Sequence, residues 1–268
     1  MTVLRRVARN VANLDKAQTF YARALGFTPL GSIVEDDELA KILGVSKLKS
    51  LRMQLGAQQI ELTQCFPPGA VYPRPRQADD IFFQHIAVIT TDILKACARA
   101  AEAGAVPISS DGPQLLPRAS GAVTAWKFRD PEGHPLEFLT FPDDQNWSGD
   151  ALFLGYDHSG IGVADVGRSI AFYTGFGLKL RHRQVNLGPE QERLDGVKNV
   201  ALDVVAMAPQ TVPPHVELLG YRTAGEQKMP DWRPSDIAAD RLVFATEDRA
   251  RVLMRDPDGH YLLLDRCI

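Results

Sequence analysis

Residues 6–27 run Arg6-Val7-Ala8-Arg9-Asn10-Val11-Ala12-Asn13-Leu14-Asp15-Lys16-Ala17, then Phe20-Tyr21 and Leu25-Gly26-Phe27. Residues 158–178 run His158-Ser159-Gly160-Ile161-Gly162-Val163-Ala164-Asp165-Val166-Gly167-Arg168-Ser169, then Phe172-Tyr173 and Phe176-Gly177-Leu178. Arg6 falls on His158 and Phe20 on Phe172 without a gap. Self-similarity of this kind marks repeated structural units and takes precedence over local element assignment. The later parts repeat as well. Gln84-His85-Ile86-Ala87-Val88 matches Asp240-Arg241-Leu242-Val243-Phe244, and Asp130-Pro131-Glu132-Gly133-His134 matches Asp256-Pro257-Asp258-Gly259-His260.

Each half divides again. Alternating Val7, Arg9 and Val11 predict a strand. Asn13 then caps a helix whose Leu14, Ala17, Phe20, Tyr21 and Ala24 share one face. After Gly26 the pattern returns to strands over 51–55 and 59–62 around a Gly56-Ala57 turn. The strand at His85 followed by an Ala-rich helix over 94–103 has the same order. The sequence therefore predicts an α+β protein of four βαβββ units, the fourth lacking its helix because only Asp248-Arg249-Ala250 separates its first two strands. Units 1–65 and 82–142 make a first domain, 1–142; units 154–222 and 240–268 make a second, 151–268. Linkers are expected at 67–75, 143–150 and 227–235, where proline, glycine and polar residues gather.

Composition sets limits around this reading. The chain has 268 residues, 45% hydrophobic and 24% charged, with a formal net charge of -3. These are values of a folded globular protein that can bury a large core, and they argue against disorder and against nucleic-acid binding through bulk positive charge. No apolar run approaches the ~20 residues of a membrane span, and the amino terminus does not read as a secretory signal, so a cytoplasmic protein is expected. Cys65, Cys97 and Cys267 are too scattered for a disulfide framework or a zinc knuckle.

The pattern resembles the vicinal oxygen chelate superfamily, the group of glyoxalase I, bleomycin resistance proteins and extradiol dioxygenases. The resemblance is carried by Asn13-Leu14-Asp15-Lys16-Ala17 with Phe20-Tyr21 and Leu25-Gly26-Phe27, by the strand at His85, and by Asp130-Pro131-Glu132-Gly133-His134-Pro135-Leu136-Glu137. It implies that paired units curl into two open β-barrels, with metal ligands from the first strand (His or Gln) and last strand (Glu) of each unit. Carried over by residue, unit one offers Arg6 and Glu61, unit two His85 and Glu137, unit three His158 and Glu217, and unit four Arg241 and Leu263. Units two and three are complete. A guanidinium cannot lose its proton and repels a cation, so Arg6 and Arg241 break the pattern, as does Leu263.

Relatives pair their units in two ways, and neighbour pairing would leave Glu61, His85 and Glu137 in one barrel and His158 and Glu217 in the other. Pairing one with four and two with three instead gathers His85, Glu137, His158 and Glu217 in a single cavity, and that concentration favours it. Two imidazoles and two carboxylates offset the charge of one divalent cation (Fe, Ni, Co, Mn or Zn) and leave positions open for water or a chelating substrate. The resemblance then implies a glyoxalase-type enzyme acting on a small molecule with vicinal oxygens, through an enediolate, with Glu137 or Glu217 as general base. The alternatives are an Fe(II) extradiol dioxygenase, which uses two His and one Glu, and a metal-free binding protein of the bleomycin resistance type.

Other residues receive plainer expectations. His134 and His260 read as turn or surface residues, and His182 and His215 as surface residues or neighbours of the ligands. Arg6 and Arg241 are expected to bind an anion together, to pair with Glu61, or to face solvent. The stretches 38–45 and 190–197 are amphipathic candidates to cover the barrel mouths, and Tyr156, Tyr173, Asn186 and Trp126 are candidates for cavity wall or core. No set of arginine and asparagine suits a glutathione site. Four units in one chain can build a site within a monomer, with a homodimer as the alternative.

Overall fold

The computed structural model describes residues 3–74, 76–142, 147–209, 214–222, 228–247 and 250–266. Four helices open with the same device: Asn13, Asp36, Asp92 and Asp165 each accept the N–H of the residue three places on. This satisfies one of the four free donors at each helix start. Helix Leu14–Leu25 buries Leu14, Ala17, Phe20, Tyr21 and Ala24, the face read from sequence, and ends on Gly26 at φ 78°. Its counterparts are Ile93–Glu102 and Val166–Gly175. Among the described residues no helix stands between strands Arg241–Thr246 and Val252–Arg255; Asp248 and Arg249 lie outside them, as does Cys267. Cys65 and Cys97 are free thiols. No described helix is long and apolar enough to cross a membrane.

The strands form two open sheets, each drawing on both halves of the chain. The eight-stranded sheet joins unit four to unit one through antiparallel pairing of Val3–Asn10 with Arg241–Thr246. The nine-stranded sheet joins unit three to unit two through Phe153–Gly162 against Gln84–Thr90. Units therefore pair one with four and two with three. Their outer faces and the helices share one core, in which Phe20, Phe138, Ile161 and Phe244 come from four different units.

The repeated motifs do the joining. Asp130 Oδ1 accepts the backbone N–H groups of Glu132, Gly133 and His134, and Asp256 does the same for Asp258, Gly259 and His260. Gly133 and Gly259 sit at φ 105° and 102°, where a Cβ is strained. The tyrosine of each Phe-Tyr pair donates to the aspartate of the following unit, Tyr21 to Asp130 and Tyr173 to Asp256. His134 and His260 correct the sequence reading: both are buried, not on the surface. His134 Nε2 lies 2.8 Å from the Asn10 carbonyl and His260 Nε2 2.7 Å from that of Gly162. Each fastens one sheet to the end of a first strand in the other, and His134 does so beside the fully buried Arg9–Asp240 ion pair at 2.8 Å.

Candidate metal centre

Strand parity brings the four donors of units two and three to one face. Gly160 stands opposite both His85 and Glu217, while Ala87 stands opposite both His158 and Glu137. In consequence Glu137 Oε2 is 2.9 Å from His85 Nε2 and 3.7 Å from His158 Nε2. The two imidazole Nε2 atoms are 3.3 Å apart, and Glu217 Oε2 lies 3.4 Å from that of His158. His85 is fully buried against the glycine: a Cβ on Gly160 would lie 2.1 Å from its ring.

The electrostatics are those of a crowded donor set. Burial pushes the His85 imidazole down to about 4, with Glu137 opposing only in part, so it is neutral. Burial would also lower His158, but Glu217, Asp157 and Glu137 outweigh it and hold the imidazole well above its usual range. Burial would raise Glu137, yet Lys127 and His85 keep it well below the ordinary carboxylate range. His158 Nδ1 donates to Asp157 at 2.9 Å, the outer hydrogen bond by which a metal-bound histidine is commonly oriented. His85 Nδ1 is buried and unpaired, so only one imidazole has that support. Donor atoms of His85, His158 and Glu217 all lie within 4.8 Å of one another, with Glu137 beside both imidazoles, a set that fits a divalent cation, which would take the place of the His158 proton.

His85 is fully buried beside Glu137, His158 and Glu217, which lie at the floor of a cavity of about 250 Å³. Helix Pro189–Asp195 covers it through Gln191 and Leu194, as read for 190–197; Asn186 is in the wall, whereas Tyr156, Tyr173 and Trp126 belong to the core. His182 and His215 also face the cavity, and His215 lies 3.8 Å from Asp157. Sequence reasoning missed Lys127. Its ammonium is buried between Asp195 at 2.6 Å and Glu137 at 4.0 Å, and Lys127 pairs across the strands with Glu137. The available signal was parity, a lysine in the apolar strand Thr124–Arg129 at an inward position.

A family model described as Glyoxalase/Bleomycin resistance protein/Dioxygenase superfamily matches residues 3–138. The chain belongs to that superfamily. Among solved structures it is similar to glyoxalase I from Zea mays, at 16% identity and TM-score 0.63, covering 98% of this chain and 92% of that one. A glutamate-to-glutamine mutant of the same enzyme gives 16% identity and TM-score 0.64, covering 99% and 94%. A provisionally assigned dioxygenase from Bacillus subtilis gives 11% and 0.56, covering 98% and 84%. At these identities the likeness is one of fold. A comparison with curated proteins returned no significant match.

In this superfamily member the other sheet carries the same positions with different chemistry. Arg6 occupies the place of His158 and donates to Glu61 and Asp265, both at 2.9 Å. Arg241 matches His85 in register, facing Ala8 as His85 faces Gly160. It neither pairs with Glu61 nor reaches solvent: fully buried, it donates to Asn10 Oδ1 and Thr63 Oγ1. The expectation of a joint Arg6–Arg241 anion site gives way to two separate networks, with Ala8 standing in register where the other sheet has Gly160. Helix Asp37–Leu43 covers this cavity through Leu39.

Proposed function

We propose that the protein is a metal-dependent enzyme of the glyoxalase type, acting on a small compound with two adjacent oxygens, with His85, Glu137, His158 and Glu217 holding one divalent cation (Fe, Ni, Co, Mn or Zn). The observation that carries this reading is the convergence of two imidazoles and two carboxylates, from two repeats, of which Glu137, His158 and Glu217 open into a mostly apolar cavity. Bound there, the cation supplies a Lewis acid for the two substrate oxygens. Glu217 is the base. Its side chain is 18% exposed and faces the cavity, where it can reach a carbon-bound proton. Glu137 is nearly enclosed, held by His85 and the Lys127 ammonium, and keeps its charge and position. The apolar walls exclude water and so strengthen these interactions. Four donors also suit this chemistry better than ring cleavage, which the resemblance associates with two His and one Glu.

The test is proton exchange in D2O, followed by NMR, for a panel of 2-hydroxycarbonyl compounds with each metal form. Exchange at the carbon beside the carbonyl is expected to need both the cation and Glu217, and to fall roughly 10²–10⁴-fold in Glu217→Gln at saturating metal. Exchange that persists unchanged in that variant, or fails with every metal form, refutes the proposal.

A further inference from the structure

The wall of the cavity has a consequence for what enters it. Leu116, Val123, Leu139, Leu194, Val204 and Leu219 surround the space above the cluster. Among the lining residues only Lys127 carries a permanent positive charge, and its ammonium is taken by Asp195 at 2.6 Å. Asp195 in turn accepts from Gln191 at 2.7 Å and Tyr221 at 3.0 Å. That network is closed within the protein. Among the described residues no arginine lines the cavity, and its other polar wall residues, such as Ser120, Gln184, Asn186 and Gln191, carry no fixed positive charge. An anionic group entering it would exchange its hydration for partners without a compensating charge, a net cost.

Size restricts the ligand further. At about 250 Å³ the cavity exceeds the ~150 Å³ that admits benzene and falls below the ~300–1,000 Å³ of sites for drug-sized ligands. The cover is fixed in place: the Leu194 carbonyl accepts from Ser109 Oγ at 2.8 Å, and that of Arg193 from the Ser110 N–H at 2.8 Å. These bonds run from unit two to the helix of unit three, so the volume is set by packing between the paired units.

We propose that this cavity selects a neutral compound of about one ring, apolar except for two adjacent oxygens that meet the His85–Glu137–His158–Glu217 cluster, and excludes anionic conjugates such as a carboxylated peptide adduct. The inference rests on the reading of the cluster as a metal site, and its test separates the two. Three chelators serve as probes: acetohydroxamic, benzohydroxamic and 4-carboxybenzohydroxamic acid. Their binding is measured by calorimetry on cobalt-loaded and on metal-free protein, alongside the cobalt absorption spectrum. Benzohydroxamic acid is expected to bind at least tenfold more tightly than acetohydroxamic acid, because the ring buries apolar area, and roughly a hundredfold more tightly than its carboxylated analogue.

Gln184, half-buried in the cavity wall and paired across the strands with Val204 rather than with a residue of the cluster, supplies the reciprocal variant. Gln184→Arg places a guanidinium there and is expected to erase the penalty on the carboxylated probe. Equal or tighter binding of the carboxylated probe by the wild type overturns the proposal. Failure to take up cobalt sinks the metal reading alone, since the ranking of the probes on metal-free protein still decides the class of ligand: preference for the neutral ring supports it, and no preference refutes it.

Discussion

Substituting Gly160 by alanine tests whether the cluster depends on the space that one missing methyl group leaves. An alanine Cβ would lie 2.1 Å from His85 Cε1 and 2.7 Å and 2.8 Å from the ring nitrogens. To regain an ordinary 3.4 Å contact, the ring must retreat by about 1.3 Å. His85 has little freedom to do so, being fully buried with Phe83 and His158 packed on it at centroid distances of 5.6 Å and 5.3 Å. Metal ligands tolerate shifts of only about 0.2 Å, so the expected result is a loss of metal affinity of at least 10–100-fold. Overpacking should also cost ~1–3 kcal/mol, seen as a Tm lower by roughly 3–10 °C in the metal-free protein. Cobalt titration followed by visible absorption and thermal unfolding give the two readouts. Gly175→Ala, whose Cβ would have nothing within 4 Å, is the control expected to change neither. A Gly160→Ala protein that binds cobalt like the wild type would refute the placement of His85 among the ligands. The other sheet already carries this substitution as Ala8, and there the residue in the place of His85 is an arginine turned to Asn10 and Thr63.

Two further outcomes follow from the buried charges. Lys127→Met leaves Asp195 enclosed without its ammonium, which should destabilise the fold by ~3–5 kcal/mol in urea unfolding; adding Asp195→Asn should recover a substantial part, and no recovery would contradict the pairing. The His134–Asp130 pair predicts a pH dependence. Burial would lower His134, but Asp130 outweighs it and raises the imidazole, so its contribution is complete below the unfolded value near 6.5 and is lost as pH rises through the raised folded value. Asp130 is depressed, burial notwithstanding, by His134 and Arg9, so its contribution holds above its unfolded value near 3.8 and is lost as pH falls through the folded one. The stability difference between wild type and His134→Asn should therefore be flat from about pH 4 to 6.5 and shrink above it, and a difference that grows with rising pH would contradict the account.

Much of the architecture was legible because repetition is a property of sequence. The Asn or Asp caps, the Phe-Tyr pairs and the Asp-Pro-x-Gly-His turns recur at fixed places, and the structure uses each for the same purpose in each copy. His85, Glu137, His158 and Glu217 were named from their places in the repeat, and the structure brings these four side chains together; the preferred pairing of units followed from where intact residues were concentrated. What stayed hidden was long-range partnership. A histidine after a tight turn looks exposed until the strand end that its Nε2 reaches is known, as with His134 and Asn10. Lys127 and Asp195 lie in different halves of the chain, and only the two-with-three pairing makes them neighbours. For Arg6 the pairing with Glu61 was among the expectations, and the partner that stayed hidden was Asp265, brought beside it from unit four.

The central claim is that units two and three hold one cation while units one and four hold none. Metal analysis of protein purified without an affinity tag and reloaded with Fe, Ni, Co, Mn and Zn tests it most directly, across wild type, His85→Ala, His158→Ala and Glu61→Gln. One equivalent per chain in the wild type and in Glu61→Gln, lost from both histidine variants, is the predicted result. Metal retained by either histidine variant, or lost with Glu61, would contradict it.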